Sequence, residues 1–391
     1  MGRIKDQLVS DEMRGYALPP DKQVCAKMFP NQAYIQERIE REGIAGECSY
    51  CGIHEKVLPL SIIVGMVVSA FTEIFENPAN ELPFESHGIW DDLEGTGLHK
   101  EGAGYILPDN KSIVTTEEAL YEVGFKPASD ELFNDIAGCF LSDDWVVKNA
   151  LVGTEDERLA YNWQQFWDGT ITDSRNQVPY DAIYKHHAVL LSYLSDTIGS
   201  NLHSLRMTLP KNSLLYRCVN YNPVPNPLRA ENLWAPPVAY ASSQRMSRKG
   251  QSRLYASFDR ETSLSEAVNN GGNEFHCLGT FRLKKEVSLL DFTSIPEPNI
   301  LNVPDYFAYR FFYDFQNAIT QHVGESEFEK HKYVPTQIMR DLIETDFSRA
   351  GIMGIKYYSV KNDGQTNVVL FLDNDNCGVW LELKDTEILG N

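Results

Sequence analysis

The chain has 391 residues, 42% of them hydrophobic, so it can bury a sizeable core and is not a disordered segment. Its formal net charge of -20 is unevenly spread: residues 1–209 hold 16 Lys+Arg against 33 Asp+Glu, and residues 210–391 hold 19 against 22. The acidity belongs to the N-terminal half, which lacks the basic footprint that phosphate backbones require and is not expected to bind nucleic acid.

The opening MGRIKDQLVSDEMRG has neither the apolar stretch nor the small-residue cleavage site of a signal peptide. The longest apolar run, Leu58 to Phe75, is interrupted by Pro59, Gly65 and Glu73, short of the roughly 20 residues of a membrane helix. A soluble, cytoplasmic protein without membrane association is expected. Seven scattered cysteines, an odd number, do not make a disulfide framework, so reduced thiols are expected.

Residues 1–57 read as a small module with Cys25, a helix over NQAYIQERIERE and a knuckle-like Cys48-Ser-Tyr-Cys51-Gly-Ile-His54. A closed structural zinc site takes four Cys or His ligands, usually as two pairs. Cys48 and Cys51 form one pair, Met28 stands where a partner for Cys25 would complete the second, and His54 offers a fourth ligand. Two readings stand: zinc on Cys25, Cys48, Cys51 and His54, or a metal-free knuckle packed by its apolar neighbours.

Residues 58–209 read mainly as helix, because SIIVGMVVSAFTEIF, TEEALYEVGF, DELFNDIAGCF, DERLAYNWQQFWDG and YDAIYKHHAVLLSYLSDTIGSNLHSL carry apolar residues at helical spacing. Asp130 and Thr154 stand where N-caps belong. Trp163, Phe166 and Trp167 make a buried stripe, and the adjacent His186 and His187 point in two directions rather than at one metal.

After Pro210 short β-branched and apolar segments take over: SLLYRCV, SRLYASF, HCLGTFRL, VSLLDF, IKYYSV, NVVLFL and CGVWLELK. Asn269-Asn270-Gly271-Gly272 and Asn362-Asp363-Gly364 supply turns. Helices over TSLSEAVNN, capped by Thr262 or Ser263, and VPTQIMRDLIETDFSRAG interrupt the strands. The fold class is α+β: a mainly helical N-terminal half, then an α+β domain over 210–391.

Within that domain Leu214 to Ala267 is the most informative stretch. It sets Arg217, Arg245, Tyr255 and Glu266 around a short basic loop, Ser247 to Gly250, a set suited to a ligand with phosphates and a scissile glycosidic bond. Leu-Tyr-Arg217, Arg245-Met-Ser, Gly250, Leu-Tyr255-Ala-Ser-Phe-Asp-Arg-Glu-Thr-Ser-Leu-Ser-Glu266 and Gly-Ile-Lys-Tyr-Tyr-Ser359 running into Asn367-Val-Val-Leu-Phe together resemble the RES domain, over most of 210–375. Arg248-Lys249 departs from the Ala or Pro-rich loop common there. The Cys-x-x-Cys knuckle, Trp145 and the Trp163 to Trp167 helix resemble more loosely the cysteine-bearing helical domain often joined to RES domains.

The resemblance implies an ADP-ribosyltransferase-like fold for the second half. It implies NAD as substrate, cleaved at the nicotinamide–ribose bond by hydrolysis or phosphorolysis, in a toxin that causes growth arrest or cell death. A cognate antitoxin or immunity protein is the implied partner, and the size and charge of the helical half add the expectation of a homo-oligomer. Transfer of ADP-ribose to a protein or metabolite, and a non-catalytic nucleotide-binding role, are the alternatives. Such cleavage develops positive charge on ribose, so an anion belongs near the sugar and cations near the pyrophosphate. Glu266 is the expected anion. Arg217 and Arg245 are the expected phosphate ligands, because guanidinium binds phosphate bidentately. The Ser247–Gly250 amides offer an anion cradle. Tyr255 is expected to stack on nicotinamide or ribose with its hydroxyl free. Ser359 is expected to bond a phosphate, no His or Asp being spaced to make it a nucleophile. Asn367 and Gln337 are expected to give supporting polar contacts, and Arg248, Lys249 and Arg253 to be solvated or to steer substrate.

Overall fold

The computed structural model describes residues 9–84, 97–101, 104–267, 275–301, 303–320 and 329–390. The chain divides into two compact units, Met1–Arg158 with Glu297–Arg310, and Leu159–Pro296 with Phe311–Asn391.

The first unit opens with β1 (Gln23–Cys25), α1 (Ala33–Glu42), β2 (Ile44–Glu47) and β3 (His54–Pro59), the strands forming an antiparallel sheet in the order β1-β3-β2. The long apolar run becomes α2 (Leu60–Ile74), whose Leu60, Ile63, Val64, Val67, Phe71 and Ile74 are almost fully buried. Phe71 anchors an aromatic cluster, with ring centroids 4.7 Å from Phe75, 4.8 Å from Phe140 and 4.9 Å from Trp145. Among the described residues no helix is long and apolar enough to cross a membrane.

Around that core lie β4 (Phe75–Glu76), the hairpin β5 (Leu98–Glu101) and β6 (Tyr105–Pro108), β7 (Val114–Thr115), α3 (Thr116–Glu122), α4 (Asp130–Ala137) and β8 (Asp144–Val147). Thr115 and Glu118 close a reciprocal capping box on α3. Ser129, not the expected Asp130, caps α4: its hydroxyl accepts from the Leu132 amide, and Asp130 is the first helical residue. Helix α5 (Glu155–Arg175) begins one residue after Thr154, where the sequence places its start.

In the second unit the pattern expected to run as one helix over 180–205 divides into α6 (Tyr180–His186), α7 (Ala188–Ser200) and a last turn, because His187 leaves helical geometry at φ -105°, ψ 14°. Trp163 and Phe166 are buried as expected while Trp167 is only partly buried, and Trp163 meets Phe315 edge-on at 4.8 Å. His186 is exposed, while His187 packs edge-on against Phe166 at 5.1 Å and burial lowers its pKa.

The second unit is built on an eight-stranded sheet of β9 (Arg206–Leu209), β10 (Leu214–Tyr221), β11 (Leu254–Ser257), β12 (Phe275–Leu283), β13 (Val287–Asp291), β14 (Ile352–Tyr358), β15 (Thr366–Leu370) and β16 (Leu381–Leu389). Its order is β16-β12-β10-β11-β15-β14-β13-β9, with β13 and β14 parallel and every other pair antiparallel. Three helices complete the unit: α8 (Arg260–Ala267), α9 (Val303–Thr320), of which residues from Phe311 onward belong here, and α10 (Val334–Phe347). The α+β class is as the sequence reads.

One seam positions the site. β10 pairs with β12 along its whole length, from Leu214 opposite Arg282 to Tyr221 opposite Phe275, but meets β11 only where Tyr216 faces Ser257.

The sheet interior elsewhere is tight. A Cβ on Gly354 of β14 would meet the Val369 carbonyl oxygen at 2.4 Å and side-chain carbons of Leu289 and Leu370 at 2.9 and 3.0 Å. Gly354→Ala therefore forces backbone to move and should cost about 3 kcal/mol, read as a lower urea midpoint at unchanged slope. A midpoint equal to the parent's would contradict this packing.

Candidate functional site

Where β10 and β11 part, a cavity of about 650 Å³ opens. Its wall takes Arg217 to Asn220 from β10, Tyr255 to Ser257 from β11, Glu266 from α8 and Asn367 from β15. The loop Ser242 to Arg245 and the side chains of Tyr333, Tyr357 and Lys361 complete it. Five residues singled out in the sequence, Arg217, Arg245, Tyr255, Glu266 and Asn367, thus share one wall.

Helix α8 presents Glu266. Asp259 caps it, accepting from the Thr262 amide at 2.8 Å, one turn before the Thr262 or Ser263 cap expected. The Ser359 hydroxyl donates to Glu266 Oε1 at 2.6 Å, and Asn367 Nδ2 donates to the same oxygen at 2.7 Å. Asn367 is oriented in turn by Ser257, whose hydroxyl donates to its Oδ1 at 2.7 Å. Ser257, Ser359 and Asn367 are all buried, so these charge-assisted bonds are shielded from water. Oε2 has no hydrogen-bond partner among the described residues, which leaves it available to a ligand.

Ser359 does not line the cavity. Its oxygen also accepts from the amides of Lys361 and Asn362 at 3.2 and 3.1 Å. The expected phosphate contact gives way to a position behind the carboxylate. Two residues that the sequence reading passed over hold the same helix end: Asn220 Nδ2 donates to the Ala267 carbonyl at 2.7 Å, and Lys361 Nζ to that of Glu266 at 3.3 Å. Asn220 was open to detection, since asparagine is depleted in strands and here sits inside one.

Arg217 lines the same cavity from β10. Its Nη1 donates to the Tyr255 carbonyl at 2.6 Å, a group that a continuous β10–β11 ladder would have bonded to an amide. Its Nε is buried without a partner. No carboxylate pairs with it among the described residues, and burial pushes its pKa below the ordinary arginine value. A partly buried cation with free donors is suited to an anionic ligand. Arg245 lines the same wall and donates to the Ile319 carbonyl at 2.6 Å.

The Tyr255 ring lines the cavity, but its hydroxyl is not free. It accepts from the Met246 amide and donates to Ser247 Oγ, both at 3.0 Å, and burial raises its pKa. Three of the four amides of the Ser247–Gly250 loop are engaged within the protein. The Ser247 amide is bonded to Gln244 O, that of Arg248 to Gln251 Oε1 and that of Gly250 to Ala241 O.

Helix α10 holds this loop. Gln337 Nε2 donates to Ser243 Oγ, Gln244 O and Ser247 O at 3.0, 2.8 and 3.1 Å. Arg340, fully buried, donates to Met246 O at 2.8 Å and to Gln251, and pairs with Asp341 and Glu344 at 2.6 and 2.7 Å. The same acids hold Arg248, which also lies over the Tyr180 ring, and Arg253, at 3.3 and 2.6 Å. Those two arginines tie the loop down, in place of the steering role expected of them; Lys249 is exposed. Burial pushes the thiol of Cys218, beside Arg217 in the same wall, up to about 11.

In the other unit Cys25, Cys48 and Cys51 converge, their sulfurs all within 4.8 Å of one another and those of Cys25 and Cys51 3.6 Å apart. Burial pushes the Cys48 thiol up, but bonds from the backbone of Tyr50, Cys51 and Cys25 outweigh it, and its pKa lies below the ordinary thiol value. Gly52, at φ +68°, lets the chain turn back after the pair. The cluster includes neither His54, which is exposed with Nε2 3.5 Å from the Glu47 carboxylate, nor Glu55.

Two arginines thus contrast. Arg217→Met, removing a cation with no acid partner, should leave the free energy of unfolding within about 1 kcal/mol of the parent. Arg340→Met, removing a fully buried cation that holds Met246 and Gln251 and pairs with the half-buried Asp341 and Glu344, should cost roughly 3 kcal/mol. Chemical denaturation of both variants checks this; a large loss at Arg217 would make it a structural ion instead.

Comparison with protein families matches residues 41–177 to HEPN/RES N-terminal domain 1 and residues 214–382 to the RES domain. No curated protein matches the chain. The second match spans every residue lining the cavity. The chain therefore belongs with the RES-domain proteins, carrying a HEPN/RES N-terminal domain ahead of its RES domain.

Proposed function

We propose that this protein is a RES-type toxin that consumes NAD by cleaving its nicotinamide–ribose bond, so that growth arrest or death follows from depletion of the dinucleotide. The observation that carries this reading is the pairing, in one cavity, of an arginine without an acid partner and a carboxylate whose two bonds fall on one oxygen. Membership among the RES-domain proteins supports NAD as the substrate. The cavity volume lies within the range of small-molecule and cofactor sites.

In this mechanism Arg217 and Arg245 bind the pyrophosphate and fix the dinucleotide. Glu266 Oε2 meets the ribose as the C–N bond stretches, and its negative charge stabilises the oxocarbenium-like sugar while neutral nicotinamide leaves. Water or inorganic phosphate then completes hydrolysis or phosphorolysis. Ser359, Asn367 and Asn220 act through the aim of Glu266, and the Tyr255 ring supplies a stacking face. The catalytic domain is residues 210–391 and adopts an ADP-ribosyltransferase-like fold. The helical region 58–209 regulates it by restraint or self-association, and a cognate antitoxin or immunity protein neutralises the cytoplasmic toxin.

We further propose that the 1–57 module carries a structural zinc ion. Three converging sulfurs, one of them already stabilised toward thiolate by backbone bonds, fit that ion's preference. When bound, zinc would cross-link β1 and the Cys48–Cys51 turn.

The test is a mass-resolved assay of NAD products, with and without phosphate. The intact chain should release nicotinamide, Glu266→Gln should lose about a hundredfold or more in kcat, and Ser359→Ala should lose about tenfold in kcat with KM nearly unchanged. ADP-ribose 1-phosphate appearing only with phosphate identifies phosphorolysis. Label retained on protein would replace this reading by ADP-ribosyl transfer, and intact NAD under all conditions would refute it.

A further inference from the structure

The three sulfurs of the cysteine cluster leave one position of a tetrahedral ion to be filled, and strand register decides which side chain faces it. β3 pairs with β1 so that Cys25 lies opposite Val57, and with β2 so that Glu55 lies opposite Gly46 and His54 opposite Glu47. Directly opposed residues share a face, and so do residues two apart along a strand. Cys25, Val57 and Glu55 therefore occupy one face, and His54 and Lys56 the other. Burial follows the alternation: Val57 is buried and Glu55 partly buried, while His54 and Lys56 are exposed. His54 and Lys56 find their partners on that outer face, at the Glu47 carboxylate and the Glu40 carbonyl.

The Glu55 carboxylate lies against the Cys25 thiol but outside the three-sulfur cluster, so it must close on the sulfurs to reach a common ion, and its Oε2 accepts from Lys27 Nζ at 2.8 Å. Its Oε1 is buried and meets no hydrogen-bond donor. A buried carboxylate oxygen with no donor is costly unless a cation answers it. Carboxylate oxygen is an accepted zinc ligand beside thiolate.

We infer that Glu55, not His54, supplies the fourth ligand of a zinc ion held by Cys25, Cys48 and Cys51. This rests on the zinc reading above. Oε1 takes the metal while Oε2 keeps Lys27, which offsets part of the negative charge of three thiolates and a carboxylate and orients the ligand from outside. Met28 then explains itself: with a carboxylate from β3 closing the site, a second cysteine after Cys25 has no position to fill.

The experiment uses the full chain with zinc, and with cobalt as a spectroscopic substitute. Native mass spectrometry should find one zinc per chain in the parent and in His54→Ala, and none in Cys48→Ser. Competition with a chelator should show zinc weakened about tenfold or more by Glu55→Gln and unchanged by His54→Ala. The d–d bands of bound cobalt should shift in Glu55→Gln alone. Glu55→Asp, which keeps the charge but shortens the reach, should weaken zinc as well, so the test does not hang on one variant's folding. Zinc bound as tightly in Glu55→Gln as in the parent, or lost in His54→Ala, overturns the Glu55 assignment and leaves the three-cysteine site standing. A parent chain that takes up no zinc overturns both.

Discussion

β10 and β11 lie side by side in the sheet yet touch at one residue pair, Tyr216 and Ser257. A continuous ladder there would satisfy both backbones and leave no space. The parted strands instead open the cavity and strand the Tyr255 carbonyl, which the Arg217 guanidinium meets from β10. Backbone geometry thus places a cation at the seam and leaves part of its donor fork unused. The Glu266 carboxylate is delivered to the same space by α8 and held from β15 and the turn after β14.

The contrast between Arg217 and Arg340 shows how the unit divides stability from chemistry. Arg340 is fully buried but answered by Asp341 and Glu344 and by the loop it holds, so its charge serves to fix Met246 and Gln251 in place. Arg217 has no such answer among the described residues. The loop that carries Arg245 is held through its backbone by Gln337 and Arg340 of α10. In the other unit backbone bonds likewise hold the Cys48 thiol below its ordinary pKa.

Much of this was open to inspection in the sequence. The strands after Pro210 announce themselves by short apolar, β-branched runs between turn signals, and Arg217, Tyr255, Glu266 and Asn367 stand in motif contexts that mark them as one site. What stayed hidden was the direction of each polar group. Ser359 reads as a ligand for substrate because serine before a turn can face either way; only the fold shows its hydroxyl turned to Glu266. Arg248 and Arg253 read as solvated because their partners, Asp341 and Glu344, lie some ninety residues on in α10. His54 fails for a simpler reason: strand alternation turns it away from Cys25, and a ligand set read from spacing alone carries no face. The small strands of the first unit were missed because runs as short as Val114–Thr115 leave no periodicity to detect.

The central claim is a division of labour in one cavity, with Arg217 binding the dinucleotide and Glu266 acting on its ribose. Calorimetric titration of NAD into Glu266→Gln, where turnover should not interfere, tests it most directly. The account predicts binding of NAD by Glu266→Gln that is weakened about tenfold or more when Arg217→Met is added. Equal affinity with and without Arg217, or no affinity for NAD in the chain that keeps it, would contradict the account.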